Sequence, residues 1–297
     1  MINTQKNQVL MGILFAIINA FMLAGMSLFS KLLATYLWPA EVVFLRNSLS
    51  LVALFAWLFL TRNLIVLKTK RPFAHLFRGV IGTIGILLGA WALSLMPLAE
   101  TTILLFTAPL FVVLLSYPVL KEPVGIYRLG AVMVGFMGVI VMINPGQSGT
   151  ALPILGIIVG LGWGFFAGCV DTCLRWIGRT ENSWATVFYF VLLGTITCGL
   201  HLPFAETKIP LSINTIWISI GLGTTGLLAL LAKTQSFRLA EASLIAPIMY
   251  SMIIWTMLFD YLFWDKVPTM NVILGACIII SSNMFILYRE TIKRPKE

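Results

Sequence analysis

Arg46 lies about seven residues into an apolar run, where a charge costs on the order of 3 kcal/mol and must face a cavity or a partner. A guanidinium there can hold a carboxylate or phosphate by two parallel hydrogen bonds. The alternatives are an anchor on helix carbonyls and a side chain reaching the outer interface. Lys233 is the second cation inside an apolar run; it either meets a solute or snorkels to the inner boundary. Asp171 stands four residues before Arg175, the spacing of an ordinary helix ion pair. It also falls within about 20° of Gly164 and Gly160 on a helical wheel, which turns it toward protein. Proton coupling, or pairing with Arg46 across a zwitterion, is the functional reading of that placement. Asp260, near the outer end of its run, reads as an interface residue.

Two prolines interrupt apolar runs. Pro109 frees the carbonyl of Leu105 and Pro247 that of Ser243; inside a bilayer such a carbonyl needs a partner or water. Each is a helix break at a transport site or a packing kink. Ser243, Pro247, Tyr250 and Ile254 share one face at helical spacing, so Tyr250 offers a hydroxyl and a ring beside the break. Of the aromatics within the runs, Phe106 and Trp163 are the first candidates to stack on a planar or cationic solute, followed by Trp91. Gly156, Gly160, Gly164 and Gly168 recur every four residues and let a neighbouring backbone approach closely, either for static packing or as a face that slides. Cys169 and Cys173 share a helix face but have no evident co-ligands, so packing is the better reading and no metal or other cofactor is expected.

The elements that hold these residues follow from composition. Of 297 residues, 59% are hydrophobic and 10% charged; the mean hydropathy is +0.98. A soluble domain carries roughly 25% charge, so a soluble enzyme and a disordered regulator are excluded in favour of an all-α membrane protein. Ten apolar spans read near 9–29, 39–60, 76–95, 100–118, 127–144, 152–175, 183–203, 214–237, 242–262 and 270–288. With the N-terminus inside, fifteen of the twenty basic residues fall in cytoplasmic segments, Arg78 among them, and three (Lys31, Lys208, Lys266) fall outside. The net charge of +9 is therefore a topology signal, and no nucleic-acid partner is expected. Both termini read as cytoplasmic, in a chain that works in lipid as a monomer or weak dimer.

The second half repeats the first. Gly82-Thr83-Ile84-Gly85 falls on Gly223-Thr224-Thr225-Gly226, and Leu98-Ala99-Glu100 on Leu239-Ala240-Glu241. Gly12 and Phe44 fall on Gly156 and Phe188. Five spans per copy is odd, so the copies, 1–146 and 147–297, enter the membrane in opposite senses around a central cavity; alternating access follows from such symmetry. The two histidines, His75 and His201, lie on opposite sides in this topology and cannot form one catalytic centre. No Gly-Lys-Ser/Thr phosphate loop is present.

Phe44-Leu45-Arg46, Ala108-Pro109-Leu110-Phe111 running to Lys121-Glu122, Asn144-Pro145-Gly146, Arg179-Thr180-Glu181 with Val187-Phe188-Tyr189-Phe190, and Ala246-Pro247-Ile248-Met249-Tyr250 before Val267-Pro268 occur in an order that resembles the drug/metabolite transporter superfamily, EamA type. The chain departs from that pattern at Asp265-Lys266, where members often carry Gly-Glu. The resemblance implies ten helices around a cavity in a bacterial inner membrane. It also implies secondary transport of a small organic metabolite, amino-acid-like or S-adenosylmethionine-like, with export of amphiphiles as the alternative.

Overall fold

Proline punctuation sets several helix starts. Pro39 and Pro72 stand at the first turn of their helices, where the missing N–H has no partner to lose, and Pro109 stands in the first turn of another. The computed structural model describes residues 2–121, 124–144, 152–177, 181–204, 212–240 and 242–292. Within them run α1 (Ile2–Leu33), α2 (Pro39–Leu60), α3 (Pro72–Leu95), α4 (Leu98–Leu105), α5 (Ala108–Leu120), α6 (Ile126–Ile143), α7 (Ile154–Ile177), α8 (Ser183–Gly199), α9 (Ile213–Leu239), α10 (Ala242–Met249), α11 (Met252–Trp264) and α12 (Met270–Ile292). The described residues include no strand. Helices α4 and α5 form one interrupted span, as do α10 and α11, so among the described residues ten spans are long and apolar enough to cross a membrane. Glu122, Pro145-Gly146, Arg179-Thr180, Glu241, the Arg175 and Ser243 side chains and the junction at 146/147 lie outside the described residues.

The structure corrects the apolar-run reading at three places. Helix α3 starts at Pro72, four residues before the run turns apolar, so Arg78 is a buried residue within a span and not part of a cytoplasmic segment. The face shared by Ser243, Pro247, Tyr250 and Ile254 is interrupted, because α10 ends at Met249 and α11 begins at Met252. Asp171 is itself exposed, near the end of α7, between partly buried and buried neighbours.

Helices pair along their lengths in opposite directions. Along α1 and α9, Gly12 meets Ala240 and Gly25 meets Thr225; along α3 and α7, Gly85 meets Phe166 and Gly89 meets Trp163. Helix α6 packs on α12, and α2 on α8. A shift of 144 residues carries α1 onto α7 and α3 onto α9, and so converts the α1–α9 pair into the α7–α3 pair. The same shift carries the bounds of α4 and α5 onto those of α10 and α11. It also carries Lys121 onto Asp265, which end α5 and α11 in the left-handed conformation with φ of 56° and 51°. Glycine adopts that conformation without strain and aspartate tolerates it, which accounts for the departure at Asp265. The main core, from Ala92 and Leu104 to Val139, Ile253 and Ile279, lies among α3, the interrupted spans, α6, α7 and α12. The cavity described next lies to one side of it.

Candidate functional site

Helices α1, α2, α3, α8 and α9 enclose a cavity of about 250 Å³. Its apolar wall includes Leu23, Met26, Leu54, Phe190 and Leu230, and its polar wall is Asn19, Arg46, Asn47, Ser50, Arg78 and Lys233. The volume suits a small organic solute better than a single ion. The cavity lies toward the end of the bundle where α2 and α9 finish and α3 and α8 begin. Beyond Arg46, toward the other end, the space narrows to about 20 Å³ among Ser27, Ser30, Val43, Gly89 and Trp163, enough for about one water. A larger groove between α2 and α8, about 550 Å³, is lined only by residues such as Val52, Phe55, Phe59 and Phe188. It offers no polar group to orient a solute, unlike the smaller cavity.

Three cations therefore face one cavity, and no carboxylate is among its lining residues. Among the described residues, none of the three lies within ion-pair distance of an acid. Like charges around one cavity repel one another, so an anion that joins them is favoured. Arg78 is held by its surroundings: one terminal nitrogen donates to the Thr186 carbonyl at 3.2 Å, and the guanidinium lies 4.6 Å from the centre of the Phe190 ring. Its Nε donor has no partner. Asn47, 1% exposed, has neither amide atom paired, and Asn19 Oδ1 is unpaired too. Gly194 on α8 makes room for the Asn47 carboxamide; a Cβ there would collide with Asn47 Nδ2.

The remaining sequence candidates occupy other places. Trp163 lines the narrow space on the far side of Arg46. Phe106 and Tyr250 sit in the interruptions of the two broken spans and contact each other, with ring centres 4.8 Å apart. Trp91 is exposed on α3. Arg46 and Asp171 do not meet: one faces the cavity, the other is exposed near the end of α7. Asp171 still attracts Arg78 through space. The glycine ladder faces the first broken span: Gly156 against Met96, Gly160 against Leu104, Gly164 against Leu104 and Thr107, Gly168 against Ala108 and Phe111.

Asp260 is buried, not interfacial. Its oxygens accept the first amides of α4, Leu98 N at 3.0 Å and Ala99 N at 2.8 Å. A carboxylate is well placed against the positive end of a helix. Lys31 Nζ lies 3.5 Å from the same carboxylate, donates to the Met96 carbonyl at 3.0 Å and stands 4.5 Å over the Trp264 ring. This cluster ties α1, α3, α4 and α11 together beyond the narrow space. The partners of Asp260 lie about 160 positions away, which no local pattern reveals. Arg78 was hidden by its nearness to the end of an apolar run. Asn19 and Asn47, polar groups inside apolar runs, carried a readable signal.

Fold and site define an integral multi-pass membrane protein with a cation-lined cavity. The sequence pattern of the EamA-like transporter family matches residues 10–144 and again 154–288, and the chain belongs to that family, within the drug/metabolite transporter superfamily. It is 28% identical over 263 residues to the S-adenosylmethionine uptake transporter of Rickettsia prowazekii (strain Madrid E), covering 88% of this chain and 87% of that one. It is 26% identical over 271 residues to the pseudopaline exporter CntI of Pseudomonas aeruginosa (strain UCBPP-PA14), covering 91% and 93%. An uncharacterized transporter of Helicobacter pylori (strain J99) is 28% identical and covered over 99% of its length. A solved crystal structure shares the fold, with a TM-score of 0.62 at 16% identity over 93% of this chain and 99% of the other. The chain is a small-metabolite transporter of the bacterial inner membrane.

Proposed function

We propose that this transporter works by alternating access, with its solute held between α1, α2, α3, α8 and α9 and a carboxylate of the solute on Arg46. The solute is amino-acid-like in this reading. The halves 1–146 and 147–297 enter the membrane in opposite senses, with both termini cytoplasmic. The chain acts as a monomer or weak dimer, with no cofactor, no catalytic step of its own and no nucleic-acid partner. The observation that carries the reading is the cation-lined cavity, roomy on one side of Arg46 and closed to about 20 Å³ on the other. The exchange of packing partners under a 144-residue shift supports two related halves, each able to take the other's arrangement. Export is the second reading, favoured by the likeness to the pseudopaline exporter.

The test is solute exchange in proteoliposomes of the purified protein, preloaded with amino acids, nucleosides and S-adenosylmethionine, with and without a proton gradient. Saturable entry of label, lost in Arg46→Ala and reduced in Arg46→Lys, is the expected result. Normal flux in both variants removes Arg46 from the site. No flux of any solute through folded protein removes the carrier reading for this solute pool.

A further inference from the structure

The cavity holds more positive charge than one carboxylate needs. Arg46 suffices for a single carboxylate, yet Arg78 and Lys233 line the same space and no acid among the described residues lies within ion-pair distance of either, Asp171 acting on Arg78 only from farther off. Arg78 is anchored by one terminal nitrogen and one ring, with Nε unpaired in a position 7% exposed. Asn19 Oδ1 and both amide atoms of Asn47 are likewise buried on the cavity wall without partners. Buried polar groups are almost always satisfied, so four orphaned atoms on residues of one cavity wall leave that wall short of polar partners. A cationic solute would add charge of the same sign to three cations. A zwitterion with one carboxylate would leave two of them unmatched.

We propose that the cavity selects solutes carrying two negative charges, as two carboxylates or one phosphate, on a small apolar body, with Arg46 on one side and Arg78 and Lys233 on the other. This rests on reading the cavity as the transport site and narrows its amino-acid-like solute to one that carries a second acid group. Asn19 and Asn47 then take the solute's neutral polar groups, and Leu23, Leu54 and Phe190 its apolar part. Bidentate pairing with two guanidiniums gives such a site geometry as well as charge.

Two measurements on the full-length protein separate the proposal from the reading beneath it. The first is ligand-induced thermal stabilisation in detergent at low salt, with succinate, phenylsuccinate, glycerol 3-phosphate, L-leucine and S-adenosylmethionine as probes. Saturable stabilisation by a dianion, at least tenfold tighter than by leucine or S-adenosylmethionine, is expected. Arg78→Gln and Lys233→Gln are each expected to cut that preference at least fivefold, and Arg78→Lys to restore part of it. The succinate and glycerol 3-phosphate arms distinguish carboxylate from phosphate. No dianion binding, or equal binding of leucine or S-adenosylmethionine, overturns the proposal, as does an equal loss for every probe in both variants. The second is counterflow of the same solutes in proteoliposomes. Flux of S-adenosylmethionine or leucine that dianions fail to inhibit leaves a carrier and overturns the charge assignment. Dianion binding without flux of any solute upholds the charge assignment and overturns the carrier reading.

Discussion

Phe106 and Tyr250 stand 144 positions apart in the chain, and their rings meet with centres 4.8 Å apart. Each occupies the interruption of a broken span, so the two breaks touch. The prolines reach this arrangement differently. Pro109 opens the helix after its break, whereas Pro247 lies in the last turn before its own. A break exposes carbonyls that lipid cannot satisfy. Asn283 on α12 answers one of them, its Nδ2 donating to the Phe106 carbonyl at 2.8 Å. Asn283→Ala should leave that carbonyl orphaned and lower stability by about 1–3 kcal/mol. Thermal unfolding in detergent measures it; an unchanged midpoint would show that the break is satisfied some other way.

Gly164 makes the corresponding prediction for the ladder on α7. A Cβ at 164 would come 2.8 Å from the Leu104 carbonyl oxygen and would collide with Thr107 Oγ1, at the end of α4 where the chain breaks. Backbone on one side and a short, hydrogen-bonded side chain on the other cannot give way cheaply. Gly164→Ala should therefore cost about 1–3 kcal/mol and slow transport. Gly130 on α6 has nothing within 4 Å of its Cβ position, and Gly130→Ala should be neutral or slightly stabilising. Equal behaviour of the two variants, in unfolding and in flux, would defeat the close-packing argument.

What the sequence disclosed was what acts locally. Apolar runs give the spans, because a bilayer demands about twenty such residues. Four-residue glycine spacing gives a face, and prolines give breaks to within a few residues. What acts across the fold was hidden. Arg78 reads as the basic flank of an apolar run, since nothing local tells a snorkelling arginine from one turned into a cavity. Asp260 reads as interfacial because its partners, the first amides of α4, belong to a distant helix. Asp265 looked like a lapse from the family pattern; its left-handed backbone shows that it fills the glycine's place.

Glu181 gives a pH-dependent prediction outside the membrane. Its carboxylate accepts from His75 Nε2 and from the Lys70 amide, each at 3.1 Å, and a bond from Thr69 adds to these. Burial alone pushes this carboxyl up; the hydrogen bonds outweigh it and hold Glu181 below its ordinary value of 4.5. A depressed carboxyl contributes stability that is present above the unfolded value and lost as pH falls through the folded one. Glu181→Gln should therefore unfold earlier than the parent at pH 7, and the gap should shrink as pH drops below about 4.5. A gap that stays constant between pH 7 and pH 3.5 would mean that the carboxylate's charge is irrelevant to the contact.

The Lys31–Asp260 pair makes the sharpest mechanical claim, because it joins four helices beyond the narrow space on the far side of Arg46. Asp260 caps α4, Lys31 reaches it from α1, and between this cluster and Arg46 lies the narrow space containing Ser27 and Ser30. In the proposed alternating-access cycle, opening that end requires the pair to part. Removing one member of a buried pair costs about 3–5 kcal/mol, since the other is left unmatched. Asp260→Asn keeps the shape and removes the charge, so it should favour the arrangement in which this end is open. Ser30→Cys, in a background with the four native cysteines replaced, reports the change through its reaction with a water-soluble thiol reagent. Labelling should rise at least tenfold in Asp260→Asn and fall again when solute saturates the opposite arrangement. If labelling at position 30 is the same with and without the Asp260 charge, the pair is a structural cap and the closed end is held by packing alone.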